Sequence, residues 1–169
     1  MIQNAQQSHA SPIALADTDA NADTDADADA EGIATMEHLG RTECLNLLAL
    51  TQVGRVAFVV NGRPEILPVN YALDGDAVLF RTSEDSVLNQ VSLANVAFEV
   101  DCIDPSTRTG WSVVVHGHAN DIADAIDPTS ERLRRLALIT WAPGQRQCWF
   151  VIRPRDISGR RLRVLPLEL

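Results

Sequence analysis

The chain has 169 residues and a mass of 18.4 kDa, enough for one hydrophobic core and too little for two. It is 46 % hydrophobic with a mean hydropathy of −0.04, as globular domains are, and no apolar run approaches the roughly 18 residues of a spanning helix. The net charge of −9 is concentrated at one end: residues 1–35 hold seven acids and no arginine, whereas residues 36–169 hold 16 acids against 14 arginines. The near-neutral remainder lacks the basic field that a nucleic-acid binder needs, which excludes that partner class.

All 14 basic residues are arginine, so lysine Schiff-base chemistry is excluded and any phosphate must be met by a guanidinium. Cys44, Cys102 and Cys148 are scattered, form no C-x-x-C pair and sit among apolar residues. They are expected as buried, reduced thiols. Met1-Ile2-Gln3-Asn4 has neither a basic start nor a signal-length apolar stretch, so the expected location is cytoplasmic.

In chain order, residues 1–32 form an Ala/Asp/Thr tract with too little apolar surface to order itself, expected as a disordered acidic tail. Its Asp27-x-Asp29-x-Glu31-Gly32 echoes a calcium loop, but position twelve is His38 instead of the bidentate glutamate. The folded domain is expected over 33–169. Thr42–Leu50 has helical apolar spacing, and Arg55–Val60 has strand composition. Asn61-Gly62 signals a type I′ hairpin into a second strand, Glu65–Leu73, where Pro68 calls for an edge or a bulge. The Asp74-Gly75-Asp76 turn leads to a third strand, Ala77–Thr82.

A helix is expected next, capped by Ser83 and running through Val87–Val91. Strands follow at Asn95–Cys102 and Trp111–Ala119. Asp127-Pro128 starts a helix expected to reach Ile139-Thr140, and Pro143-Gly144 ends it. A last strand, Cys148–Arg153, precedes Pro154 and a tail through Leu162. The fold class is mostly β with short helices: a six-stranded, antiparallel, nearly closed barrel.

Arg81-Thr82-Ser83 is the most informative cluster. A strand end meets a helix start there, Thr82, Ser83 and Ser86 offer hydroxyls, and Arg81 offers a fork that matches phosphate. The alternative is an ordinary capped helix whose Arg81 pairs with Glu84 or Asp85. His116-x-His118 share a strand face at a spacing that can bind metal, yet no third ligand is near, so no metal is assigned. Glu99 and Asp101 also share a face, expected to meet solvent or arginine. Trp111, beside Ser112, either stacks on a planar ligand or packs in the core. No residue stands out as acid, base or nucleophile.

Taken together, Pro68-Val69-Asn70-Tyr71, Phe80-Arg81-Thr82, the strand Val96–Asp101, Gly110-Trp111-Ser112-Val113 and Ile157-Ser158-Gly159-Arg160-Arg161 resemble the pyridoxamine 5′-phosphate oxidase-like, FMN-binding split-barrel family over about residues 36–165. The resemblance implies a split β-barrel homodimer with the flavin at the subunit interface and a small organic substrate. It places Arg81, Thr82, Ser83 and Ser86 on the phosphate, Pro68, Val69 and Asn70 along the ring, Leu88 among the cofactor-binding residues, and Trp111 and Ser112 on the same flavin from the other subunit. One departure stands out. A Gly-Ser/Thr-Lys-Leu run is common in the family, whereas this chain has Asp85-Ser86-Val87-Leu88. The implied activity is an FMN-dependent oxidoreductase. The alternatives are a deazaflavin reductase, with Arg55, Arg63, Arg153 and Arg155 for the longer anionic tail, or a non-catalytic flavin- or haem-binding module.

Overall fold

The computed structural model describes residues 32–91 and 95–166, and the acidic tract lies outside them except for Gly32. The strands are β1 (Gly32–Leu39), β2 (Val53–Val60), β3 (Arg63–Asp74), β4 (Ala77–Thr82), β5 (Asn95–Asp104), β6 (Thr109–Asp121) and β7 (Cys148–Pro166). Between them lie α1 (Arg41–Leu48), a 3₁₀ turn (Val87–Val91) and α2 (Pro128–Arg134). All pairings are antiparallel, in the order β7-β4-β3-β2-β5-β6, and β6 returns to β7 to close a ring of six strands. This is the expected antiparallel split barrel. β1 is added outside the ring, on the far half of β7, from Gly32↔Pro166 to Leu39↔Gly159.

The β2–β3 hairpin turns at Asn61 (φ 51) and Gly62 (φ 75), the left-handed pair that a type I′ turn requires and that this dipeptide adopts at low cost. Pro68 faces Arg55 on β2. On its other side β3 first meets β4 at Tyr71↔Phe80, so Pro68 lies on a free edge, where its missing N–H costs nothing.

The core fills the ring. Val56 and Phe58, Val69 and Tyr71, Val78 and Phe80, Phe98 and Val100, Val113 and Val115, and Phe150 and Ile152 alternate inward from the six strands. Tyr71 meets Phe98 edge-on with centroids 4.9 Å apart, and Phe80 stacks on Phe150 at 5.4 Å. α1 closes one opening with Cys44, Leu47 and Leu48. The Tyr71 hydroxyl donates to the Leu48 carbonyl and shares a 2.6 Å bond with the Thr51 hydroxyl. A smaller cluster lies on the outer face of β4 and β7, where Leu79 and Val151 are covered by Ile122, Leu133 and Leu138.

Four expectations are corrected. The helix expected from Ser83 is a five-residue 3₁₀ turn: Ser86 N–H bonds back to the Ser83 carbonyl, and the Ser86 hydroxyl accepts from Leu88 N–H. The helix capped by Asp127 stops at Arg134, because Leu133, Leu136 and Leu138 all pack into the outer cluster, a spacing that one helical face cannot present. The last strand does not stop at Pro154. It continues to Pro166 through a bulge, where His116 pairs with Asp156 and Gly117 with Pro154, leaving Arg155 over. Of the three cysteines expected to be buried, only Cys44 is. Cys102 has the inward parity of Val96, Phe98 and Val100 but stands beyond the barrel wall and is exposed.

Candidate functional site

β3 and β4 part after the Tyr71↔Phe80 pair, and the gap between their ends opens a cleft of about 270 Å³. One wall is the free edge of β3, from Leu67 to Asn70; another is Arg81 and Thr82 at the end of β4; Ser86, just before the 3₁₀ turn, and Leu88 within it form the floor. Thr140, Ala142 and Arg146, from the irregular segment between α2 and β7, close the fourth side. Tyr71 N–H bonds to the Gln52 carbonyl across the β2–β3 ladder. By the alternation of antiparallel backbone, the Asn70 N–H and the Pro68 and Asn70 carbonyls then face the cleft.

The cleft gathers Pro68, Val69, Asn70, Arg81, Thr82, Ser86 and Leu88, seven of the expected residues, in one place. Ser83 begins the adjoining turn without lining the cleft. Its carbonyl and that of Glu84 accept from the Asn89 side chain, which fixes the turn's shape. Asn70 lines the wall, but its side chain is already engaged: Oδ1 accepts from Trp141 N–H at 2.8 Å and Nδ2 donates to the Gln52 carbonyl. Its side-chain contribution is to tie the covering segment down.

Arg81 pairs with neither Glu84 nor Asp85. Its guanidinium lies over the Trp149 ring, 4.5 Å from the centroid, and its Nε donates to the Arg146 carbonyl at 2.7 Å. Among the described residues neither Arg81 nor Arg146 has a carboxylate in ion-pair contact. The ordinary pairing alternative is thus not adopted, and two half-buried cations share one cleft. The nearby anion is Asp85, held below its usual carboxylate range by the Ser83 hydroxyl, then by its own backbone, with the charge of Arg146 contributing. Arg146, Thr140 and Ala142 were not apparent from sequence, since the segment holding them was expected to be partly helical.

Trp111 and Ser112 lie elsewhere. They border a second recess of about 500 Å³ beside β5, β6 and β7, with Met36, Ile103 and Leu162, and Trp111, sharing the parity of Val113 and Val115, also packs against the main core. Arg160 Nε donates to the Ser112 hydroxyl at 3.3 Å. The two recesses share no residue. Trp111 stands near the start of β6, whereas Asp121 at its end pairs with Phe150 beside Trp149.

The remaining candidates lie outside the cleft. Glu99 and Asp101 both bind Arg55, the arginine pairing expected of them. His118 contacts Arg155 through Nε2, and no group of three His, Cys, Asp or Glu residues is placed to hold a metal among the described residues. None of Arg55, Arg63, Arg153 and Arg155 lines the cleft, so the arginines considered for a longer anionic tail are not gathered there.

Comparison with known proteins agrees with this fold. A family profile described as pyridoxamine 5′-phosphate oxidase matches residues 40–161. The uncharacterized protein Rv0080 of Mycobacterium tuberculosis is 34% identical over 130 residues, 73% of this chain and 84% of that protein. The FAD binding protein from Mycobacterium smegmatis superposes with a TM-score of 0.62 and 33% identity, over 75% of this chain and 97% of that one. A conserved protein of unknown function from Corynebacterium diphtheriae matches at a TM-score of 0.62 and 30% identity, over 74% of this chain and 96% of its own.

Proposed function

Because the chain belongs to the pyridoxamine 5′-phosphate oxidase family, we propose that it is a flavin-nucleotide-binding oxidoreductase acting on a small organic substrate. The observation that carries this is the cleft itself: two arginines with no carboxylate in ion-pair contact among the described residues, together with Thr82 and Ser86, stand opposite a free strand edge of alternating N–H and carbonyl groups. The first set suits a phosphate. The second suits the polar rim of a flat heteroaromatic ring, with Val69 and Leu88 offering apolar contact.

FMN has both features. FAD carries the same ring on a pyrophosphate, and the 33%-identical relative from Mycobacterium smegmatis is named for it. When bound, either flavin supplies reversible hydride or single-electron transfer. The protein's part would be to hold the phosphate through Arg81, Thr82 and Ser86 and the ring along Pro68, Val69 and Asn70 of β3. No side chain in the cleft is arranged as a nucleophile or a proton-transfer pair.

We extend the proposal to a homodimer with a composite site. Trp111 and Ser112 lie in a separate recess, so a ligand in the β3–β4 cleft meets them only if a second copy brings them. Met36 and Ile103, 60% and 61% exposed beside that recess, give such a contact its apolar area. Three free thiols and a chain without a helix long and apolar enough to cross a membrane among the described residues support a reducing, cytoplasmic location. The test is the visible absorption spectrum of the purified protein, followed by titration with FMN and FAD. Stoichiometric yellow flavin, bleached by a reductant and restored by an acceptor, is expected; failure to bind either flavin overturns the proposal.

A further inference from the structure

We propose that Arg146, on the segment between α2 and β7, is the second phosphate-binding cation of the cleft, and that the site takes its anion between this segment and the end of β4. The identity of the ligand rests on the flavin-nucleotide reading above; its charge does not, because that follows from the two arginines alone.

Three observations carry the assignment. Arg146 lines the same cleft as Arg81, Thr82 and Ser86. It is half-buried and, like Arg81 beside it, has no carboxylate in ion-pair contact among the described residues, whereas the half-buried Arg161 has Glu43. The Arg146 charge reaches Asp85 only at a distance, without an ion-pair contact, and an incoming phosphate supplies the close anionic partner that a partly desolvated guanidinium favours. Finally, Arg146 is placed by the cleft's own residues. Its carbonyl accepts from Arg81 Nε at 2.7 Å, and the same segment is tied to β3 by the 2.8 Å bond from Trp141 N–H to Asn70 Oδ1.

The 3₁₀ turn cannot supply this charge. It carries Val87 and Leu88 where a cation could have stood, and the preceding Asp85 is an anion. Charge therefore reaches the phosphate from the opposite wall. Asn70 becomes a positioning residue: it acts on the ligand through the segment that it holds.

The test compares wild type with Arg146→Gln and Arg146→Lys, checking each fold by circular dichroism and thermal melting. Affinities are measured for FMN, for riboflavin, which has the ring without the phosphate, and for inorganic pyrophosphate by calorimetry. The FMN-to-riboflavin affinity ratio is expected to fall about tenfold to a hundredfold in Arg146→Gln, the loss of one charge-assisted hydrogen bond, and to recover in large part in Arg146→Lys. An unchanged ratio in a folded Arg146→Gln overturns the inference while leaving the flavin reading standing. If wild type binds no flavin but binds pyrophosphate, and Arg146→Gln abolishes that binding, the anion site stands and the flavin reading falls. Binding of neither flavin nor pyrophosphate overturns both.

Discussion

Arg81 meets three demands at once: its face lies on Trp149, its Nε holds the Arg146 carbonyl, and it lines the cleft beside Thr82 and Ser86. A planar, five-donor fork can serve all three, and a lysine could not. Arg81→Gln is therefore expected to cost more FMN affinity than Arg146→Gln, with the double variant weaker than Arg81→Gln by less than the Arg146 effect alone, as coupled residues behave. Asp85 acts in the other direction. It is exposed next to Ser86 and ionised at neutral pH as any ordinary aspartate is, so a negative charge stands beside the cleft, and Asp85→Asn should raise FMN affinity about threefold, an effect reduced by added salt. Val87→Lys gives a sharper contrast. With Arg146 present it should add little, and in the Arg146→Gln background it should restore about tenfold, both read by fluorescence titration. The Arg81–Thr82–Ser86 arm was legible in the sequence because a strand end and its hydroxyls are neighbours along the chain. Arg146 was not, because it is one of 14 arginines, and only the folded contact with Arg81 distinguishes it.

At the scale of elements, legibility followed periodicity. β2 to β6 were readable because their inward residues alternate and their turns carry Asn61-Gly62 and Gly75 at positive φ. β1 has only Leu39 buried, so it offers no alternation, and the second half of β7 was hidden behind Pro154, whose bulge no local pattern announces. The α1–β7 contact shows how closely these elements fit. A Cβ added to Gly159 would lie 2.7 Å from Cys44 Sγ and 3.2 Å from Leu39 Cδ1, so α1 and the end of β1 can approach β7 only over a bare backbone. Gly159→Ala is expected to destabilise the protein by about 1–3 kcal/mol, measured as a lower urea midpoint with the slope unchanged. Tyr71→Phe should weaken the same end of the barrel by about 1 kcal/mol, because it leaves the Leu48 carbonyl without its hydroxyl donor.

For the whole molecule, the two recesses on separate faces make oligomeric state and ligand binding one question. If a second copy completes the site, Leu162→Glu, on the rim of the Trp111 recess, should turn a dimer into a monomer by sedimentation and weaken flavin binding together with it. The same variant should leave the far-UV spectrum intact, since Leu162 is 36% exposed in the single chain. One further property follows from β7, which alone pairs with β1, β4 and β6. Each of those three strands has an edge that no other part of the described chain covers. During synthesis the first six strands therefore leave the ribosome with nothing to close them, and no fragment ending before Cys148 can complete the ring. Closure must wait for the last strand and then join segments from both ends of the domain in one step, which makes folding slow and exposes open edges to aggregation until it happens. A nascent chain stalled just short of β7 should bind chaperones and resist refolding, whereas release of those residues should bring protease resistance to all seven strands at the same moment.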